Sequence, residues 1–172
     1  MIELLCYRRS TRRFKSKKIE KDKIKKLEQA ALLSPTSRNI RPWEFVVVQD
    51  ATIIGNLSKS KKHGSDFLKD APLAFVIIAD STKSDVWIED TSIASIIIQL
   101  EVEKLGLGSC WVQIRNRFNS EGETSEEYVK KVLNIPKQYK VLSIIGIGYK
   151  DEQRSELSLE ELDYSKIHYE KF

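Results

Sequence analysis

Hydrophobic residues recur along this chain at two periods. In residues 20–33, Ile24, Leu27, Ala31 and Leu32 fall on one face with lysines opposite, which predicts an amphipathic helix. Ser34-Pro35 ends it, because the residue before proline is steered away from helical angles. Glu44 to Gln49 holds Phe45, Val46, Val47 and Val48 in a row, a run that predicts a central strand covered on both faces. Asp50 caps a short helix to about Lys61, and Leu73 to Ala79 is a second buried strand. Asp85 to Leu105 reads as a long helix, apolar almost all round from Ile93 to Ile98 and therefore central and buried. Gly106-Leu107-Gly108 stops it. Ser109 to Ile114 is a third strand and Val141 to Ile147 a fourth. Between them Thr124 and Glu127 form a capping box for a helix to about Leu133. A short helix over 2–8 should turn Leu4 and Leu5 inward, and residues 9–18 are too charged for anything but loop or extended chain. The β-α-β-α-β order predicts a sheet with helices on both faces.

The 172 residues suit one domain, 1–172, with 154–172 as a weakly periodic, charged C-terminal arm. At 41% hydrophobic and 31% charged, the chain can bury a real core but has little interior to spare. A large cofactor would sit at its edge or between two subunits. No apolar run is long enough to span a bilayer. Met1 to Arg9 does not read as a signal peptide, so a cytoplasmic location is expected. With two cysteines (Cys6, Cys110) and two histidines (His63, His168), none at ligand spacing, no metal site is expected. A disulfide between the two is formally possible but not expected.

The net charge of +4 is unevenly placed. Arg8, Arg9, Arg12, Arg13, Lys15, Lys17, Lys18, Lys21, Lys23, Lys25 and Lys26 face only Glu20 and Asp22 in the same stretch. Such a cluster suits phosphate or another anion, suits nucleic acid, or is simply a solvated face. In an extended segment Arg8, Ser10 and Arg12 point one way, and paired guanidiniums with a hydroxyl match a phosphate or an anionic ring. Pro35-Thr36-Ser37-Arg38-Asn39 offers small polar groups to a planar heterocycle, or is an ordinary helix-to-strand loop; Trp43 beyond it belongs in the core. Gly106-Leu107-Gly108-Ser109-Cys110-Trp111 opens a strand rather than a helix and so is no dinucleotide fingerprint. Cys110 has no nearby histidine to activate it. No phosphate loop, nucleophile elbow or acid–base team stands out.

Taken in order, these segments resemble the nitroreductase family of flavin enzymes. The resemblance rests on Arg8-Arg9-Ser10-x-Arg12, on Ser34-Pro35-Thr36-Ser37-x-Asn39-x-x-Pro42-Trp43 and on Trp87-Ile88-Glu89-Asp90 leading a long helix into Gly106–Trp111. Gly146-Ile147-Gly148-Tyr149 and the ending His168–Phe172 complete it, so nearly the whole chain takes part. It implies an α+β fold, a three-layer α-β-α sandwich with a mixed, mainly antiparallel sheet, in an intertwined homodimer whose arm packs on the partner subunit. It implies FMN in two interfacial sites, reduced by NADH or NADPH and reoxidised in ping-pong fashion by a small acceptor such as a nitroaromatic or quinone. On this resemblance Arg8, Arg9 and Ser10 hold the phosphate and ribityl oxygens, and Arg12 lies by the pyrimidine edge. Pro35, Thr36, Ser37 and Asn39 reach the flavin of the other subunit. Ser109, Cys110 and Trp111 lie beside the ring, Gln113 reaches the flavin or its phosphate end, and Gly148 and Arg154 stand at the phosphate. No side chain is expected to be catalytic in its own right, because the flavin carries the chemistry. Arg41 stands where the family usually has Gln, and Lys150 where it usually has Pro. Other readings are a non-enzymatic flavin-binding or redox-responsive module and a basic nucleic-acid-binding domain. The last lacks any recognised motif, so neither nucleic acid nor membrane is an expected partner.

Overall fold

The computed structural model describes residues 1–172. Strands β1 (Trp43–Val48), β2 (Leu73–Asp80), β3 (Gly108–Gln113) and β4 (Tyr139–Gly148) form one sheet in the order β1-β2-β4-β3. The two central strands are apolar on both sides, and each side has its own helical cover. Ala74, Val76, Ile78 and Ile144 meet Ile54 and Leu57 of α3 (Ala51–Leu57) and Val129 of α5 (Ser125–Leu133). Leu73, Phe75, Ile77, Ile145 and Ile147 meet Ile24, Leu27 and Ala31 of α2 (Lys21–Leu32) and Ile98 and Val102 of α4 (Trp87–Lys104). The result is the expected α-β-α layering.

Four expectations need correction. The sheet is not mixed: every strand pair is antiparallel, and the parallel element shrinks to a single bridge between Ser10 and Ser109. β1 is an edge strand rather than a central one, with Phe45, Val46 and Val47 only half-buried. An apolar run marks the covering of both faces, not the pairing of both edges. α1 (Ile2–Tyr7) buries nothing fully; Leu4 is half-buried and Leu5 exposed, because the helix lies at the rim of the fold, against α4 and the thin C-terminal arm. α4 is buried on one side only, leaving Ile93 and Ile96 on the surface.

The turns that aim β3 and α5 are local in origin. α4 ends in a Schellman motif: the Leu107 N–H donates to the Val102 carbonyl and the Gly106 N–H to the Glu103 carbonyl, both at 3.0 Å. Gly106 carries φ +72°, which a side chain rarely adopts. Buried Leu107 then starts the path into β3. α3 is capped by Asp50, which accepts from the Ile53 N–H at 2.9 Å, and α5 by Thr124, which accepts from the Glu127 N–H at 3.3 Å.

Gly148 at the end of β4 is a packing requirement. A Cβ there would lie 2.7 Å from Phe14 and 2.8 Å from Pro72. Phe14 is buried and the proline ring is rigid, so neither yields cheaply. Gly148→Ala is expected to lower stability by about 1–3 kcal/mol through overpacking. Denaturant titration should show a lower midpoint with an unchanged slope; an unchanged midpoint would show that Phe14 moves freely.

Candidate active site

The segment after α1 is strapped along the open edge of β3. Ser10 bridges Ser109, the Thr11 N–H donates to the Ser109 carbonyl at 2.9 Å, and the Lys15 N–H donates to the Tyr149 carbonyl at 2.9 Å. Thr11 and Phe14 point into the protein. Thr11 fills the space over Gly108, where a Cβ would lie 2.6 Å from its hydroxyl. The alternation read from sequence therefore holds at this point: Ser10 and Arg12 take the other side, away from Thr11.

Ser10, Arg12, Arg154 and an unforeseen residue, Glu152, converge on Cys110. Burial pushes the Cys110 thiol up; Arg12, the Ser10 hydroxyl and Arg154 pull it back, and Glu152 pushes it up again. The balance leaves a neutral thiol. Burial alone would raise the Glu152 carboxyl, yet it is held below the ordinary range by the Arg12 and Arg13 N–H groups, at 2.5 and 3.2 Å, and by Arg154 at 3.0 Å. Lys61 stands on the α3 side of the same neighbourhood. Burial and Arg117 lower its pKa while Cys110 opposes them. Lys61, Arg117 and Glu152 carry no sequence signal, since each lies in a polar loop remote from the motifs that it joins.

Other expected residues are engaged elsewhere. The Arg9 guanidinium donates to the carbonyls of Arg8, Cys6 and Ser155 at 2.6, 2.8 and 3.0 Å, tying the C-terminal arm to α1. Gln113 accepts from the Trp111 indole N–H at 3.0 Å and donates to the Arg115 carbonyl at 3.1 Å. The Ser109 hydroxyl accepts from Gln99 at 3.3 Å. Gly148 faces Phe14 and Pro72, as above. Arg8 and Arg12, in contrast, form no ion pair and no side-chain hydrogen bond. The donor set left free at the β3 edge is therefore two guanidiniums beside the Ser10 hydroxyl, which fits a monoanionic or dianionic phosphate or an electron-rich ring edge.

The second group, Pro35–Asn39, is held by Asp90. That carboxylate is 2% exposed and accepts from the Ser37 N–H at 2.8 Å and the Ser84 hydroxyl at 3.2 Å. Arg38, Asn39 and Arg41 all take positive φ, near 53–55°. The Arg41 N–H donates to Thr36 Oγ1 at 2.9 Å and its Nε to Asn39 Oδ1 at 3.0 Å. The loop enters β1 at Trp43, which pairs with Ala79; Ser109 instead shares the row of Ile147 and Leu73, at the other end of the sheet. The two groups thus occupy diagonal corners, about 14 Å apart across three strand spacings and about 20 Å along the strands.

Because Cys110 is a buried neutral thiol, its alkylation should be slow at neutral pH and accelerate only in the alkaline range. Cys110→Ser should keep turnover. Fast alkylation at pH 7, or loss of activity with cofactor still bound, would reveal thiol chemistry.

Comparison with known proteins identifies this arrangement. The Nitroreductase family pattern matches residues 5–61 and 54–149. The structure superposes on an FMN-dependent nitroreductase of Clostridium difficile with TM-score 0.98 and 48% identity, over 100% of both chains. It also superposes on a nitroreductase family protein of the same species with TM-score 0.81 and 27% identity, over 100% of this chain and 99% of that one. A protein of Archaeoglobus fulgidus with the provisional name NADH dehydrogenase/NAD(P)H nitroreductase is 31% identical over 99% of this chain and 98% of its own. With the β3-edge arginines and the Asp90-anchored loop falling inside the matched segments, the chain belongs to the nitroreductase family.

Proposed function

We propose that this chain is an FMN-dependent NAD(P)H oxidoreductase that works as a homodimer and reduces a small organic acceptor such as a nitroaromatic or quinone. The observation that carries the reading is the diagonal separation just described. If the free cations at the β3 edge and the polar loop at Pro35–Asn39 serve one flavin, they must come from two chains. The cofactor assignment draws support from the Clostridium difficile relative, named as FMN-dependent, and the reductant from the Archaeoglobus relative, named for NAD(P)H.

The redox chemistry between NADH or NADPH and the acceptor would be supplied by FMN when bound, so the residues bind and tune rather than react. Arg8, the Ser10 hydroxyl and Arg154 would hold the phosphate end. Arg9 contributes by fixing α1 and the arm rather than by direct contact. Arg12, free of any acidic partner, sets a positive charge against the pyrimidine edge, where negative charge grows on reduction. Ser109, Cys110 and Trp111 line the ring, and Thr36, Ser37 and Asn39 complete the site from the partner subunit.

The surface supports a dimer. Leu32, Leu33, Ile93 and Ile96 are exposed on the α2–α4 face, as are Leu157, Leu159, Leu162, Ile167 and Phe172 along the arm. A groove of about 400 Å³ runs between α2 and the unpaired edge of β1, and the buried Trp43 indole N–H beside it has no acceptor. Large apolar side chains exposed in such number mark interaction surfaces. We read residues 1–172 as one domain with 154–172 as the arm that covers the partner, in a cytoplasmic protein. No helix is long and apolar enough to cross a membrane.

The protein should purify yellow, release FMN rather than FAD on denaturation, bleach with NADH or NADPH and show parallel-line kinetics. A colourless protein that takes up no added FMN would overturn the assignment, and flavin that NAD(P)H cannot reduce would leave only a binding module. The shared site has its own test. Arg12→Glu and Asn39→Asp should each abolish activity as homodimers. Mixed dimers of the two hold one doubly altered and one intact site, and should recover up to half the wild-type rate. Mixed dimers that form but stay inactive would refute a site built from two chains.

A further inference from the structure

The basic segment does more than supply Arg8 and Arg12. Phe14 and Ile19 are buried pins, and the residues between them are exposed. Since Phe14 points inward, its neighbours Arg13 and Lys15 point out, over the end of the sheet. There they wall a cleft of about 630 Å³ with Lys17, Lys18 and Lys69, floored by Phe14, Ala71 and Pro72. Arg12 stands at its rim; Asp70 and Asp151 are the only acids in the wall. Of the cations, only Lys17 has an ion-pair partner, Glu20 at 3.3 Å; Arg13, Lys15, Lys18 and Lys69 have none within 4.0 Å.

We propose that this cleft binds a nucleotide carrying more than one phosphate. Its volume falls within the range of small-molecule sites. Four unpaired cations exceed what a monophosphate needs and suit two separated phosphate groups. The apolar floor matches a base or ribose face, and the two carboxylates accept from ribose hydroxyls or an exocyclic amine. Inorganic phosphate alone would leave the floor and the acids without a role. A long single-stranded nucleic acid would want a continuous groove with stacking aromatics, and Phe14 is the only aromatic in the wall. None of Arg13, Lys15, Lys18 and Lys69 belongs to the flavin site proposed above, so the inference does not depend on it. The phosphates have two possible sources: the adenosine end of NADPH, or a separate nucleotide.

The test is calorimetric titration of the full-length protein, with excess FMN present to occupy the β3-edge cations, using 2′,5′-ADP, 5′-AMP and pyrophosphate. 2′,5′-ADP should bind more tightly than 5′-AMP or pyrophosphate, and its affinity should fall as salt rises. Lys15→Glu with Lys69→Glu should weaken it by at least ~10-fold, since a hydrogen bond to a charged group is worth a factor of that order. Flavin content should not change. Both lysines are on the surface, and an unchanged circular dichroism spectrum will establish that the variant is folded. If 2′,5′-ADP also competes with NADPH and the double variant loses a preference for NADPH over NADH, the coenzyme supplies the phosphates. If it binds without competing, the cleft takes a separate nucleotide. The proposal fails if 2′,5′-ADP does not bind, if the double variant binds it equally well, or if a single-stranded oligonucleotide binds and the mononucleotides cannot displace it.

Discussion

Phe14 occupying the space that Gly148 leaves empty is the contact on which the functional surfaces depend. It closes the end of β4 and fixes the register of the strap, since the Lys15 N–H must then meet the Tyr149 carbonyl and Arg13 must face Asp151. Thr11 over Gly108 sets the strap's other end. Between these two close approaches the chain has no freedom to slip by one residue. A slip would turn Thr11 and Phe14 to solvent and put Arg12 and Lys15, or Ser10 and Arg13, in their places, at the cost of desolvating at least one cation. Glycine at 108 and 148 thus determines where the arginines point, although neither glycine need touch a ligand.

A second constraint acts at the opposite corner. Asp90 is a buried carboxylate whose acceptors are satisfied by the Ser37 N–H and the Ser84 hydroxyl. Three non-glycine residues at positive φ cost on the order of 1 kcal/mol or more each and persist only when their surroundings fix them. Here the fixing groups are Asp90, the Thr36 hydroxyl on the Arg41 N–H, and the ion pair between Arg38 and Asp85. The loop is therefore held in shape before anything binds, which lowers the ordering cost of recognising a flat ligand.

How much of this was legible depended on range. Helices, strands and their order followed from apolar periodicity, and the Gly106 turn and the Asp50 and Thr124 caps from residues adjacent in sequence. Edge against centre was not legible for β1, because the two differ in the pairing of backbone groups rather than in the side chains displayed. The β3-edge residues Ser10, Arg12 and Cys110 were found as motif members; Glu152 and Lys61 were not, since only the sheet brings them there. The departures from the family pattern find local explanations. Arg41 takes a left-handed backbone and bonds Asn39, and Lys150 pairs with Glu103 of α4 while its stem lies over Gly108. A proline at 150 would forgo that ion pair.

Glu152 then decides how the basic surface is divided. Its carboxylate takes the Arg12 and Arg13 backbone N–H groups and the Arg154 guanidinium, but neither side chain of the two strap arginines. The negative charge is thus placed under the strap, between its two faces, where it offsets repulsion among the cations without neutralising either set. Arg12 remains free toward β3, and Arg13 with Lys15 remains free toward the cleft. A carboxylate on the outer side of the strap would have paired with one of these and closed one site. Placed on the backbone, it stabilises a run of like charges that would otherwise repel, and it leaves two cationic surfaces facing different directions from a single segment.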